Sequence, residues 1–243
     1  MSHFLYHEAC PRCGSRDNLA RYSDGGGYCF GCKYYERGIK LPWEQVDEST
    51  GDSSDGGAQA AYEAATRTIG EDGLHWLSHY EMGPKDAILH LWKWNPKTRE
   101  LLFPLWDKEG KLVCLQAKNF DPERKSKAKY FNRGDKERHW TIYENFLLTG
   151  TLVLTEDIVS AAKVSSVSDA MPLLGVSIRK EKLVEISREY DKLVVWLDRD
   201  KWKEARMIAE QAKMLGMNAS TILTDKDPKE YSNEEIMVFL ENK

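Results

Sequence analysis

The sequence predicts an α/β protein. A mainly parallel sheet fills the C-terminal half, a small α+β subdomain precedes it, and a four-cysteine metal module stands at the N-terminus. Three observations carry this. Leu193-Val194-Val195-Trp196-Leu197 is an unbroken apolar run, as in a strand buried on both faces, and it ends in Asp198-Arg199-Asp200. Gly150-Thr151-Leu152-Val153-Leu154-Thr155 is a second short run, which ends in Glu156-Asp157 and leads into a helical stretch. Cys10-x-x-Cys13 and Cys29-x-x-Cys32 are two turn-forming pairs separated by fifteen residues.

The chain has 243 residues, 41% hydrophobic, enough for one large or two to three small domains. No apolar run approaches the roughly 20 residues that span a bilayer. The N-terminus lacks the charged and apolar regions of a signal peptide, so no membrane partner and a cytoplasmic location are expected. The net charge is -4, but residues 111–139 hold nine Lys/Arg against four Asp/Glu. Such local concentration suits a nucleic-acid partner, although a solvated basic loop has the same composition.

Residues 1–43 form the metal module. Each Cys-x-x-Cys turn aims two sulfurs at one ion, and a reducing cytosol disfavours the disulfide alternative. Cys10, Cys13, Cys29 and Cys32 therefore close a structural site for one Zn²⁺. Leu19–Tyr22 and Gly27–Phe30 read as short strands. The segment has little core, so metal would supply most of its folding energy. Residues 44–59 read as a flexible acidic linker, because 44–57 hold five acids, no base and one aliphatic residue.

Residues 60–149 form the small subdomain. Helix is expected over 60–68, from Gly73 to Tyr80, and over 85–91. His75 and His79 share a helix face but lack a third ligand, which favours packing over metal. Leu101–Trp106, the turn Asp107-Lys108-Glu109-Gly110 and the return strand Lys111–Lys118 form a hairpin. Cys114 inside it reads as an inert core residue. The basic stretch that follows, Arg124 to Arg133, offers Lys127, Lys129 and Arg133 as charges for phosphate, with Tyr130 as a stacking platform; Phe131 is expected to pack.

Residues 150–243 alternate strand and helix. Strands are expected at 150–155, 171–176, 193–197 and 218–224, and helices after Glu156, at 179–190, 202–215 and 233–240. This order gives a mainly parallel sheet with right-handed crossovers. Ligands of such sheets gather at the carboxyl strand ends, where Glu156, Asp198 and Asp200 fall. Side chains at i and i+2 share a face of an extended chain, so Asp198 and Asp200 are expected to converge on a hard divalent cation. Taken alone, the Asp-x-Asp pair also fits a solvated helix cap.

A glutamate on one strand end and Asp-x-Asp on another, in βαβα spacing, resemble the TOPRIM module of primases, topoisomerases and certain nucleases. The four-cysteine segment resembles the zinc ribbon of DnaG-type DNA primases. Its opening Phe4-Leu5-Tyr6-His7 is most similar to the primase half of phage primase–helicases. The Phe-Pro strand, Asp-x-x-Gly turn and Lys129-Tyr130-Phe131-Asn132 element are also in DnaG order. The resemblance implies a Rossmann-like TOPRIM sheet and a DNA-directed RNA polymerase that makes short primers by nucleotidyl transfer. Glu156, Asp198 and Asp200 would hold one or two Mg²⁺ or Mn²⁺, with Asp227 of Lys226-Asp227-Pro228 approaching them. Lys118 and Lys129 would contact triphosphate, Asn132 the template–primer, and Asp24 the template bases. Implied partners are single-stranded DNA, ribonucleoside triphosphates and a separate replicative helicase, in a bacterial or phage-infected cell. Asp157 stands where the family often has Gly, Trp202-Lys203 where it has Ala-Gly, and Lys229 where it has a second acid. The alternatives are a RecR-like zinc/TOPRIM DNA-binding clamp without catalysis, or a TOPRIM nuclease.

Overall fold

A computed structural model describes residues 4–22, 26–36, 57–123, 129–145 and 150–242. The chain divides into two units, Met1–Thr50 and Gly51–Lys243.

The first unit is a four-stranded antiparallel sheet in the order β1 (Phe4–Glu8), β2 (Leu19–Tyr22), β3 (Gly27–Cys29), β4 (Tyr35–Glu36). The two outer strands were not legible from period or length. Phe4, Leu5 and Tyr6 of β1 are all exposed, so no alternation marks it, and β4 has two residues. Among the described residues its buried apolar side chains are Cys10, Leu19, Ala20, Tyr28 and Cys29, with Cys32 and Tyr34 packed against the cluster of Cys10, Leu19 and Cys29. Arg21 ties the sheet across its strands by pairing with Glu8 at 2.6 Å and with Glu36.

The second unit begins with helix α1 at residues 57–63. Residues 57–59, assigned to the linker by composition, are thus helical, because fully buried Ala58 packs beneath the next sheet. The helix stops short of the expected 68, where Thr66 instead pairs with Trp94 through two backbone hydrogen bonds of 2.8 and 2.9 Å. Helices α2 (Glu71–Ser78) and α3 (Pro84–Leu89) follow.

A four-stranded antiparallel sheet comes next: β5 (Lys93–Asn95), β6 (Glu100–Trp106), β7 (Leu112–Asn119) and β8 (Tyr130–Gly134). Asp107 closes the β6–β7 turn by accepting from the backbone N–H groups of Glu109 and Lys111, and Gly110 takes the left-handed φ of +76° that the turn needs. Alternation gives this sheet two apolar faces. Leu102, Leu115 and Ala117 pack with Ala58 and Tyr62, and Phe131 packs against them as expected. Leu101, Phe103, Leu105 and Cys114 belong to the main core, which they share with Val153, Val194 and Trp196.

Those last three lie on the parallel sheet. Its strands are β9 (Thr151–Thr155), β10 (Asp169–Pro172), β11 (Lys192–Trp196) and β12 (Asn218–Thr221), in the order β10-β9-β11-β12. Helices α4 (Ile158–Val164), α5 (Lys180–Glu189), α6 (Trp202–Met214) and α7 (Asn233–Glu241) make the crossovers and the C-terminal cover. Leu193 to Trp196 are completely buried, as a central parallel strand requires. Trp196 meets Tyr231 and Phe239, and its indole N–H donates to Thr224 Oγ1 at 2.8 Å.

Polar clamps join the two sheets. Lys108 in the β6–β7 turn lies 3.0 Å from both Glu185 and Glu189 of α5, with its ammonium 3.6 Å from the Trp140 ring centroid. Lys182 of α5 donates to the His139 carbonyl at 2.6 Å, and Lys136 donates to the Leu174 carbonyl at 2.7 Å. These contacts set the antiparallel sheet facing the carboxyl edge of the parallel one.

Candidate active site and zinc-binding cluster

Strand register builds the edge. Thr155 of β9 pairs with Trp196 of β11, and Val195 pairs with Thr221 of β12. Glu156, Asp198 and the loop carrying Asp227 therefore leave the sheet on the same side. Asp157 caps α4: its carboxylate accepts from the Val159 and Ser160 amides at 2.9 and 3.0 Å and from the Ser160 hydroxyl at 2.8 Å.

Glu156 and Asp198 stand against unfavourable fields. Burial raises the Glu156 carboxyl, and Asp157, Asp200 and Asp227 add to this while Lys201 opposes it. Its Oε2 is buried with no hydrogen-bond partner among the described residues. Burial also pushes Asp198 up, to about 7, with help from Asp227 and Glu156 and against Lys229. A buried orphan oxygen beside a second destabilised carboxylate fits a hard cation, which is how such groups are ordinarily satisfied.

Asp200 differs from its expected placement. The chain leaves the extended conformation after Asp198 and makes one turn of 3-10 helix, Arg199–Lys201. The i, i+2 argument holds only along a strand. Asp200 is instead exposed and paired with Lys201, whose hydrogen bond holds its carboxyl below the usual range. Among the described residues, the four cysteines alone bring three or more metal-ligating side chains close enough to hold an ion as they stand. The carboxylates line an edge without closing on a point.

Across from this edge lies the β7–β8 face. Lys118 pairs with Tyr130 and Gln116 with Asn132 in register. Together with Phe103, the residues Gln116 and Tyr130 form one wall of a cleft of about 190 Å³ whose other wall is Glu156, Asp157 and Leu174. Lys118 is not the mobile charge its type suggests. It is only 9% exposed, and its ammonium lies 4.6, 5.3 and 4.7 Å from the ring centroids of Trp76, Phe120 and Tyr130. Burial lowers its pKa, and Lys129 and Lys229 act in the same direction. Such a cage holds a cation through ring quadrupoles, and among the described residues no carboxylate forms an ion pair with it. Asn132 is exposed and accepts from Gln116 at 3.1 Å. Lys129 is exposed at the start of β8. Arg133 points to the opposite face, where it pairs with the buried Glu100 at 2.9 Å and lies over Phe131. Asp24 and Lys127 lie outside the described residues.

Three residues of the site carried no assigned role in the sequence. Trp76 of α2 and Phe120, two residues beyond Lys118, complete the lysine cage. Lys229 bridges Asp157 and Asp227 at 2.9 Å each. A signal for it was present: an acid replaces Gly at 157 and a base replaces an acid at 229, a matched exchange of charge.

His75 and His79 pack edge to face with ring centroids 4.8 Å apart, and the His79 ring bonds the His75 carbonyl at 2.8 Å. Cys114 is fully buried.

In the first unit, the four cysteine sulfurs lie within 4.8 Å of one another, with Cys10 and Cys32 at 3.6 Å and Cys13 and Cys29 at 3.7 Å. A tetrahedral ion about 2.3 Å from each sulfur separates sulfurs by about 3.8 Å, so the cluster has the size for zinc.

No protein-family model and no curated protein matches the chain. Solved structures do. The zinc-binding and RNA polymerase domains of Aquifex aeolicus primase are similar at a TM-score of 0.64 and 14% identity, over 99% of this chain and 78% of that one. A DnaG primase catalytic domain bound to single-stranded DNA matches at 0.61 and 12%, over 79% of this chain and 78% of that one. The RNA polymerase domain of Mycobacterium tuberculosis primase DnaG, in complex with double-stranded DNA, matches at 0.58 and 13%, over 80% and 81%. With a four-cysteine cluster ahead of a parallel sheet whose acidic edge faces a basic antiparallel one, this chain has the fold of the DnaG-type primases.

Proposed function

We propose that the chain is a DNA primase, a DNA-templated RNA polymerase of the TOPRIM class acting on single-stranded DNA and ribonucleoside triphosphates. The observation that carries this reading is the cleft between the β7–β8 face and the acidic strand edge, lined by Gln116 and Tyr130 on one side and by Glu156 and Asp157 on the other, with the Lys118 ammonium against the Tyr130 ring. Nucleotidyl transfer needs positive charge for a triphosphate beside carboxylates that hold a cation, on rigid walls. A nuclease needs the carboxylates but not a preformed cationic cage, and a clamp needs neither.

Glu156 and Asp198 would hold Mg²⁺ or Mn²⁺, with Asp200 joining them on release from Lys201, and the ion would supply Lewis acidity for the primer 3′-hydroxyl and for charge on the leaving pyrophosphate. The protein's residues do the rest. Asp198, whose carboxyl burial raises to about 7, would lose its proton on binding a cation, so binding would strengthen as pH rises through that region. Lys118 directs its charge at the triphosphate from a position its three rings fix, and Lys129 adds a second charge at the cleft mouth. Asn132 offers its amide to the template–primer. Tyr130, 40% exposed, presents a ring for a base. The zinc ribbon reads the template, which is the role the resemblance assigns to Asp24. A helicase acting as a separate partner belongs to the same reading.

The test is incorporation of labelled ribonucleotides on mixed single-stranded DNA templates with Mg²⁺ or Mn²⁺. The wild-type chain is expected to make short RNA, and Glu156→Gln to lose about 10²-fold or more of the rate. Intact DNA binding with no incorporation on any template contradicts the reading, as does shortening of the template.

A further inference from the structure

Lys229 sits in the single turn Pro228–Glu230 that follows β12. Its ammonium lies 2.9 Å from Asp157 Oδ2 and 2.9 Å from Asp227 Oδ2, and its side chain is only 16% exposed. The ring of Tyr80 stands 5.8 Å away on the same side. Asp157 is saturated. Oδ1 accepts the Val159 and Ser160 amides, and Oδ2 accepts the Ser160 hydroxyl and Lys229. A carboxylate offers about four acceptor sites, and all four are in use.

We infer that Lys229 is a built-in cation that fills the Asp157–Asp227 side of the cleft and limits the site to one divalent metal, held on the side of Glu156 and Asp198. This rests on the metal-binding reading of those two carboxylates. A divalent ion ligated to Asp157 and Asp227 would sit about 2.1 Å from their oxygens, in the volume the ammonium already occupies. Glu156 is the contrasting case on the same edge, with Oε2 buried and without a donor among the described residues. The edge is thus divided into a neutralised half and an unsatisfied half. Lys229 is a positioning residue that sets the metal count.

The test is Mn²⁺ stoichiometry, measured by electron paramagnetic resonance on the full zinc-loaded chain without nucleotide. The wild type is expected to bind one Mn²⁺ in a manner abolished by Asp198→Asn. Lys229→Gln is expected to bind two, and Lys229→Arg, which keeps the cation, to return to one. Two Mn²⁺ on the wild type, or one on a folded Lys229→Gln, overturns the inference while leaving the carboxylate reading intact. No Mn²⁺ on the wild type overturns the carboxylate reading and the inference with it. If Lys229→Gln fails to fold, Lys229→Met, which keeps the apolar stem without the cation, takes its place: two Mn²⁺ supports the inference and one overturns it.

Discussion

Asp198 and Glu156 hold positions that resist their own charge, and this has a measurable consequence. Burial raises the Asp198 pKa to about 7, while the unfolded chain titrates near 3.9. Below the unfolded value both states are protonated and the full stability is present. As pH rises through 7 the folded carboxyl is forced to ionise, and that stability is lost. In metal-chelating buffer, Asp198→Asn is therefore expected to melt higher than wild type at pH 8 and alike near pH 4. The gain is about 1–2 kcal/mol after discounting for partial exposure, or about 2–4 °C for each kcal/mol. Thermal melts across that range check it; a lower melting temperature for the variant at pH 8 contradicts it. Residue types at this edge were legible because carboxylates that follow apolar runs stand out. Their geometry was less so. Asp200 was read on an extended chain that in fact turns after Asp198. Lys118 was read as mobile because Trp76 and Phe120, which fix it, come from α2 and from beyond the end of β7.

At the scale of elements, the site depends on β8 holding its register against β7. Gly134 ends β8 at φ +97°, and a Cβ there would stand 2.3 Å from the Val113 carbonyl oxygen. Gly134→Ala is expected to cost about 2–4 kcal/mol, from left-handed strain and from backbone displacement. Urea unfolding of residues 51–243 within the full chain measures it, and a loss under about 0.5 kcal/mol contradicts the account. Elements with a strong period were readable. The apolar runs of β9 and β11 and the spacing of Ala205, Ile208, Ala209 and Ala212 in α6 correspond to buried positions in the structure. β5 was not readable. Its three residues take their extended form from pairing with β6 and from the Thr66–Trp94 hydrogen bonds, which are tertiary causes.

Across the whole molecule, the two units draw stability from different sources. Residues 51–243 bury a large apolar core, whereas the described residues of the first unit bury little beyond Leu19, Ala20 and Tyr28 with two cysteines. Zinc removal by a chelator is therefore expected to unfold residues 4–36 and leave the melting of the second unit unchanged. Metal analysis should return about one zinc per chain. Loss of the second unit's transition on chelation contradicts this. The cysteine cluster, the hairpin and the acidic strand ends were legible because each leaves a compositional mark, whereas residues 44–56 of the expected acidic linker lie outside the described residues. The facing of two sheets across a cleft was not, since it rests on Lys108, Lys136 and Lys182 reaching partners far away in sequence. The proposed function depends on that facing, because it would set a charge suited to a triphosphate against an edge suited to a cation. Mass spectrometry of the product made from single-stranded DNA and ribonucleoside triphosphates tests it most directly. The account predicts oligoribonucleotides that keep a 5′-triphosphate and complement the template, with one pyrophosphate released per bond. Shortened DNA, or bound template with no new phosphodiester, would contradict it.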